Sequence, residues 1–402
     1  ILVSTWQDGL YKIDINTGEK SQYKKNKFYL NSLGSNAINL MFIDNFNYLW
    51  IGTIDNGLYM LSLKEKMFES LKIQDPVSPL PDEINAFSLI KDNKENLWIG
   101  TRGQGLWQYN LKTGETENYT VKNNPELGSN SILTLEMCLD GNIWIGTDGG
   151  FISRFNPETK KFTKLKNRND DWSHAIFAIA QNEDYLWGGS WGGGIKKVDK
   201  KTLTYTSINF DEKDQFRNSI FDLEICDSIL WVADIGIGLI RFNIKNESKK
   251  IYSFSESFPD FPKERILDIY IENPDSILIS TDGSGIYLFI PSKEKISKIV
   301  SLDLLSNNVI QGIVTDDNGN IWVTSISGIS FIQRKTGNVQ NFYRHNGLKN
   351  NQFNKGALLW DKDSRLIYAG GVEGVNYANS DSLIIDKLVK KAIITGLNIS
   401  GI

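Results

Sequence analysis

Histidine and cysteine are nearly missing from this sequence, with two of each in 402 residues. His/Cys metal clusters are thereby excluded, and a Ser-His-Asp or Cys-His apparatus has few possible members. The two cysteines, Cys138 and Cys226, lie 88 residues apart (226 − 138) and read as buried free thiols, so they assign no redox compartment. Proline is scarce at 9 and methionine at 4. No apolar run approaches the roughly 18–20 residues that a membrane helix needs. An excess of basic charge is also missing: 44 Lys and Arg face 48 Asp and Glu, a net charge of −4, which argues against a basic face for nucleic acid. No G-x-S-x-G elbow and no Gly-rich phosphate loop occurs. The opening Ile1-Leu2-Val3-Ser4-Thr5 has no basic n-region or cleavage pattern and reads as the middle of a strand, as in a piece of a longer array.

What is abundant is glycine and aromatics: 34 Gly, 11 Trp, 15 Tyr and 20 Phe. Many turns and many aromatics point to numerous short strands. Self-similarity organises them. The anchor Leu49-Trp50-Ile51-Gly52-Thr53, closing on Gly57-Leu58, recurs as Leu97-Trp98-Ile99-Gly100-Thr101 with Gly105-Leu106, and as Ile143-Trp144-Ile145-Gly146-Thr147. Weaker copies start at Leu186, Leu230, Ile277, Ile321 and Leu366, and one opens the chain at Ile1, so nine anchors follow one another at 43 to 48 residues. Position two is Trp in six copies, a flat side chain suited to filling the space between sheets. Position four is always small (Ser4, Gly52, Gly100, Gly146, Gly189, Ala233, Ser280, Thr324, Ala369), which lets a neighbouring sheet approach closely. Near position nine stands a Gly in every copy, from Gly9 to Gly374, as a hairpin turn at positive φ requires.

Each unit also has an alternating apolar stretch upstream (84–90, 310–314), then a polar turn such as 317–320. Downstream come a third strand (106–111), a turn, and a fourth strand (116–120). Four strands per roughly 45 residues, without a 3.6-residue apolar stripe, predict an all-β fold, a β-propeller of four-stranded blades. The nine anchors fit a seven-bladed ring plus two blades of a preceding ring, or one larger ring. The first division assigns residues 1–80 to two repeats, 81–385 to seven blades, and 386–402 to a following β-sandwich.

The anchor (L/I)-W-I-G-T-x-x-x-G-L resembles the two-component-regulator propeller repeat. The unit from Gly347 (Gly347-Leu348-Lys349-Asn350-Asn351-Gln352-Phe353-Asn354-Lys355-Gly356-Ala357, then Ile367-Tyr368-Ala369-Gly370-Gly371-Val372-Glu373-Gly374-Val375-Asn376) resembles the last such repeat in ectodomains of Bacteroidetes hybrid two-component sensors. The tail Ala392-Ile393-Ile394-Thr395-Gly396-Leu397 is similar to the opening strand of the immunoglobulin-like domain that follows in that family. The resemblance implies a periplasmic sensor region that binds oligosaccharides, works as a homodimer, and signals to a kinase. Its membrane attachment would come through parts of the protein outside this sequence. No cofactor, metal or catalytic residue is expected.

Ligands of such rings sit where loops converge over the central channel. The turn after each anchor and the loop between units are expected on one face. Asp170-Asp171-Trp172-Ser173-His174 and Ser190-Trp191-Gly192-Gly193-Gly194 form the richest region there. Trp191, Trp172 and His174 therefore lead the ligand-binding candidates, followed by Arg102, Arg217, Asp234 and Asp282. The plainer reading makes Trp172 core, Trp191 a cap on a blade edge, and the charged residues solvated turns. Asp316-x-Asn318-x-Asn320 and Asp361-x-Asp363 start like calcium loops but continue without the Gly and distal Glu, and read as turns. Two other classes stay open: a propeller lyase or hydrolase acting on glycans, which needs carboxylates and His clustered over one channel, and a protein-interaction platform with aromatics spread over the outside.

Overall fold

The computed structural model describes residues 1–25, 32–45, 47–63, 66–73, 84–165, 174–211, 218–253 and 258–382. The expected 80/81 boundary and the segment 386–402 lie outside them. The chain divides into two compact units: Ile1–Glu69 with Tyr343–Leu348, and Ser70–Phe342 with Lys349 onward. Strands dominate, and helix is confined to short 3₁₀ turns among the described residues.

The first unit holds two three-stranded antiparallel sheets, Leu2–Ser4 with Leu10–Ile13 and Lys20–Tyr23, and Ile38–Ile43 with Tyr48–Thr53 and Leu58–Ser62. Leu10, Ile38, Leu49 and Ile51 are buried together in its core.

The second unit holds seven four-stranded antiparallel sheets, here I to VII. Their first strands are Ala86–Lys91, Ile132–Met137, Ile176–Gln181, Ile220–Cys226, Ile266–Asn273, Ile310–Thr315 and Phe353–Asp361. Each packs against the next, and Phe353–Asp361 packs back on Ala86–Lys91, so these strands line a closed cycle. Sheets I to VI take their four strands in sequence order. Sheet VII has three, and its fourth place is filled by Glu69–Ser70, from ahead of sheet I. The Leu71 N–H donates to Val375 O (2.9 Å), and Leu71 and Ile73 are buried with Ala357, Tyr368 and Val375. That strand covers an edge that would otherwise present unpaired backbone groups.

Each repeated column has a physical task. The Gly near position nine has positive φ in all nine copies, between 64° and 126°. The position-five hydroxyl closes the same turn: Thr101 Oγ1 donates to Gly105 O (2.7 Å), Ser190 Oγ to Gly194 O (2.9 Å) and Thr281 Oγ1 to Gly285 O (2.9 Å). The small column is steric. A Cβ on Gly100, Gly146 or Gly189 would come within 2.6–2.7 Å of Cγ2 of Ile132, Ile176 or Ile220, the first residue of the next sheet's inner strand. Between sheets I and II the column-two Trp98 packs with Phe155, Ile132 and Ile145. Its indole N–H donates to Asp92 Oδ2 (2.8 Å). The Asp turns are structural in the same way: Asp316 accepts from the backbone N–H of Asn318 and Asn320, both at 2.9 Å, and Asp361 accepts from that of Asp363 (3.2 Å). Cys138 is buried, Cys226 is half-buried, and both are free thiols.

Candidate functional site

One repeated hydrogen bond ties both loop sets of sheets I to VII to a single end of the ring. The first residue of each anchor turn donates its N–H to the carbonyl just ahead of the inner strand: Arg102 to Asn85, Trp191 to Ala175, Ile235 to Ser219 and Asp282 to Arg265, at 2.9–3.0 Å. Asp148 to Ser131, Ile326 to Val309 and Val372 to Gln352 repeat it in the other three sheets.

Inner strands of sheets I to VI begin with a one-residue register shift, as between Ile176 and Ala178 or Ile220 and Asp222. A bulge re-aims the extra side chain. In sheets III and IV those extra residues are Phe177 and Phe221, whose rings stack at 5.1 Å and 8°. Trp191, 37% exposed, leans on both, 5.9 Å from Phe177 and 5.6 Å from Phe221. His174 is half-buried beside it on Gly193, where a Cβ would come within 2.9 Å of its ring. Trp191 belongs to the aromatic cluster, His174 lies against Gly193 of the same turn, and Trp172 and Arg217 lie outside the described residues. Arg102 is exposed, with its guanidinium 5.6 Å over Phe87, the bulge residue of sheet I. Asp234 stands in the position-five column, where the hydroxyls donate, and holds its turn instead as an acceptor, from the N–H of Gly236 (2.8 Å) and Ile237 (3.0 Å). It lines a cleft of about 570 Å³ with Phe261, Lys263 and Arg265, and Asp282 is an exposed turn residue of sheet V.

Behind Phe177 the inner strands of all seven sheets enclose a channel cavity of about 240 Å³. Its wall carries four acids, Glu136, Asp222, Glu224 and Asp268, and one base, Lys355. Two of the acids join sheets, since Asp222 Oδ2 accepts from Ile269 N and Asp268 Oδ2 from Ile313 N, both at 2.8 Å. Ser88 does the same with a hydroxyl toward Leu135 N (3.0 Å), so the carboxylates bring charge that the joint does not need. Lys355 enters from an enlarged bulge in sheet VII. Residues 354–357 there stand opposite Gly370 alone, where sheets I to VI insert one extra residue. Its Nζ lies 3.9 Å from Asp222 Oδ1 and 5.9 Å from the Phe221 ring centre.

The channel's electrostatics follow from burial and crowding. Burial pushes the Glu136 carboxyl up to about 7, against a hydrogen bond from Gln181 Nε2 (3.3 Å) and the charge of Lys200. Glu224 and Asp268 are held well above the usual carboxylate range, by burial first and then by the Asp222 charge, with Lys355 opposing. One cation is too little for four carboxylates crowded on one channel wall, so protons make up part of the difference. Among the described residues no group of three or more His, Cys, Asp and Glu could hold a metal ion. Neither histidine lines the channel.

The loop-end reading of the sequence located Trp191 and His174 but missed Phe177, Phe221, Lys355 and the acids. A signal was present for two of the acids. The third position of the inner strands is small in Ser88, Thr134, Ala178 and Gly312, and Asp222 and Asp268 break that column.

Residues 304–327 match the two component regulator propeller family. Among characterised proteins, "Histidine kinase P4" of Formosa agariphila is 23% identical in an alignment of 333 residues that covers 68% of this chain and 24% of the kinase. Among solved structures, the extracellular domain of the hybrid two component system BT3049 from B. thetaiotaomicron superposes with a TM-score of 0.67 at 22% identity, over 94% of this chain and 50% of that one. That of BT4673 from the same organism gives 0.64 at 22%, over 94% and 51%. A streptogramin B lyase gives 0.61 at 13%, over 79% of this chain and 99% of the lyase. The chain spans about half the length of the two extracellular domains and a quarter of the kinase. It is a β-propeller protein that carries the two component regulator propeller repeat, and its relatives include a histidine kinase and extracellular domains of hybrid two-component systems.

Proposed function

We propose that this chain is the extracytoplasmic, periplasmic ligand-sensing region of a hybrid two-component sensor. Its ligand is an oligosaccharide, and its output passes to a kinase elsewhere in the protein. The observation that carries the ligand reading is the Trp191–Phe177–Phe221 cluster, set among the loops at the mouth of a polar channel. Flat aromatic faces stack on pyranose rings, and the carboxylates and Lys355 read hydroxyls. The relatives support the sensing role: those superposing over 94% of the chain are extracellular domains of hybrid two-component systems. Among the described residues no helix is long and apolar enough to cross a membrane. Membrane attachment belongs, in this reading, to other parts of the protein. Signalling works through a homodimer whose arrangement the ligand biases, which requires differential affinity for two arrangements.

The test is calorimetry against a panel of defined oligosaccharides, repeated with Trp191→Ala. Loss of the stacking face should weaken binding about ten-fold, the equivalent of about 1.4 kcal/mol. Binding untouched by the substitution refutes the site. Turnover of any glycan refutes the sensor reading in favour of a lyase or hydrolase, the class to which one structural relative belongs.

A further inference from the structure

We infer that the channel receives a cationic group: a protonated amine, presented to Glu136, Asp222, Glu224 and Asp268 beneath the aromatic faces of Phe177, Phe221 and Trp191. In combination with the sensing reading, on which this step rests, the ligand is an oligosaccharide carrying free amino groups.

Charge is the first argument. Four carboxylates from sheets II, IV and V share the cavity with Lys355 alone. Lys355 reaches only one of them, at the loose distance of 3.9 Å. Glu224 is the sharpest case. It lines the cavity, it is enclosed by the channel wall, and no hydrogen bond to it is formed by any described residue. Glu224 is half-buried, so its carboxylate faces the space of the cavity rather than being shut into core, and it is open to an incoming donor. An ammonium supplies both the opposite charge and three N–H donors.

Space and aromatic character point the same way. Gly356 stands on the wall among the acids, and a Cβ there would meet nothing nearer than Phe87 O at 3.9 Å, so its part of the roughly 240 Å³ is open. The cavity as a whole has room for one head group, on the order of eight waters' share of liquid volume. The aromatic rings at the mouth add a negative π face that favours a cation, and Lys355 already lies over Phe221 in that manner. A uronate or sulfate would meet the net negative wall. A neutral sugar would leave the excess charge for protons to neutralise.

Proton competition follows. The groups facing the acids are Gln181 and, through it, Lys200 on the side of Glu136, Tyr270 from sheet V, and Lys355 from sheet VII. Lys200 bonds to Gln181 Oε1 (2.6 Å) rather than entering the cavity, and Lys355 is the cation among them that lines it. An ammonium then takes the place of protons on Glu136 and its neighbours, and its affinity rises as pH rises through about 7.

The experiment is titration calorimetry on the whole chain with four probes: a glucosamine oligomer, its N-acetylated counterpart, a uronic-acid oligomer and spermidine. The glucosamine oligomer should bind about ten-fold or more tighter than the N-acetylated one, and Glu224→Gln should cost a similar factor. Lys355→Met, which removes the internal competitor, should tighten binding, a direction that structural damage does not imitate. Equal or tighter binding of the N-acetylated or uronic-acid oligomer overturns the inference and leaves the oligosaccharide reading standing. Spermidine binding with the same Glu224 and Lys355 dependence, and no saccharide binding, supports the amine site and overturns the saccharide. Binding by none of the four overturns the amine site, and a neutral oligosaccharide from the wider panel would still satisfy the sensing reading.

Discussion

Gly189 is one of the small-column positions where the next sheet approaches closely, and a substitution there has a calculable outcome. In Gly189→Ala the new Cβ would stand 2.6 Å from Ile220 Cγ2, 2.9 Å from Ile220 Cβ and 3.3 Å from Leu223 Cδ1. Ile220 and Leu223 are both buried, so the strain falls on packed core. Overpacking of this kind costs about 1–3 kcal/mol. Gly189 is not at positive φ, so the backbone accepts Ala, and the unfolded chain loses entropy worth about 0.4–1 kcal/mol in the variant's favour. The net expectation is a destabilisation of about 1–2 kcal/mol by urea denaturation. Ile220→Ala alone opens a cavity and should cost about 2–5 kcal/mol, but it also removes the Cγ2 that Gly189 exists to admit. In that background the 2.6 Å contact is gone while the Cβ of residue 220 still stands 2.9 Å away, so Gly189→Ala should cost less than in the parent, a coupling of about 1 kcal/mol in a double-mutant cycle. An equal cost in both backgrounds would mean that the small column answers some need other than the neighbouring isoleucine, and the steric account fails.

Two more outcomes follow from the same geometry. Glu136 has its carboxyl raised from 4.5 to about 7 in the folded chain, so the stability it contributes is present below about pH 4.5 and lost as pH rises through 7. Glu136→Gln should therefore match the parent at about pH 4 and exceed it by about 3 kcal/mol at about pH 8, since each tenfold change in proton affinity is worth about 1.4 kcal/mol; equal gains at both pH values refute the burial account. Leu71→Pro removes the N–H that donates to Val375 O and should cost about 3 kcal/mol, with self-association visible in light scattering as the sheet VII edge opens. An unchanged oligomeric state at parental stability would mean that this strand does not close the ring.

The parts of the fold legible in the sequence are those where one physical task recurs at one position. Gly105 needs positive φ, Thr101 closes the turn over it, Gly100 admits Ile132 and Trp98 fills the gap between sheets; each repeats in most copies, and repetition makes it visible. The closing strand has no such signature. Glu69–Ser70 is two residues long and gains its meaning from Val375, some 300 residues later (375 − 71 = 304), through a pairing that no local pattern encodes. Asn354-Lys355-Gly356-Ala357 marks the last repeat by resemblance, but nothing in its local pattern encodes that these four residues bulge opposite Gly370.

The site was half legible for the converse reason. Trp191 was visible because it lies outside the tryptophan column, and two of the acids could have been found by the same rule applied to the inner strands. Asp222 and Asp268 occupy a position that other sheets fill with Ser88, Thr134, Ala178 or Gly312, and the sheet-joining bond they make is made equally well by the Ser88 hydroxyl. In a chain of near-identical units, a column states what the fold requires, and a charged exception that the fold can do without is free to serve a ligand. That the exceptions face one another is invisible along the chain, because Glu136 and Asp268 are separated by 132 residues (268 − 136) and meet only when the ring closes. The site is therefore a property of closure, and ring opening by Leu71→Pro should abolish ligand binding even though Leu71 lies nowhere on the channel wall.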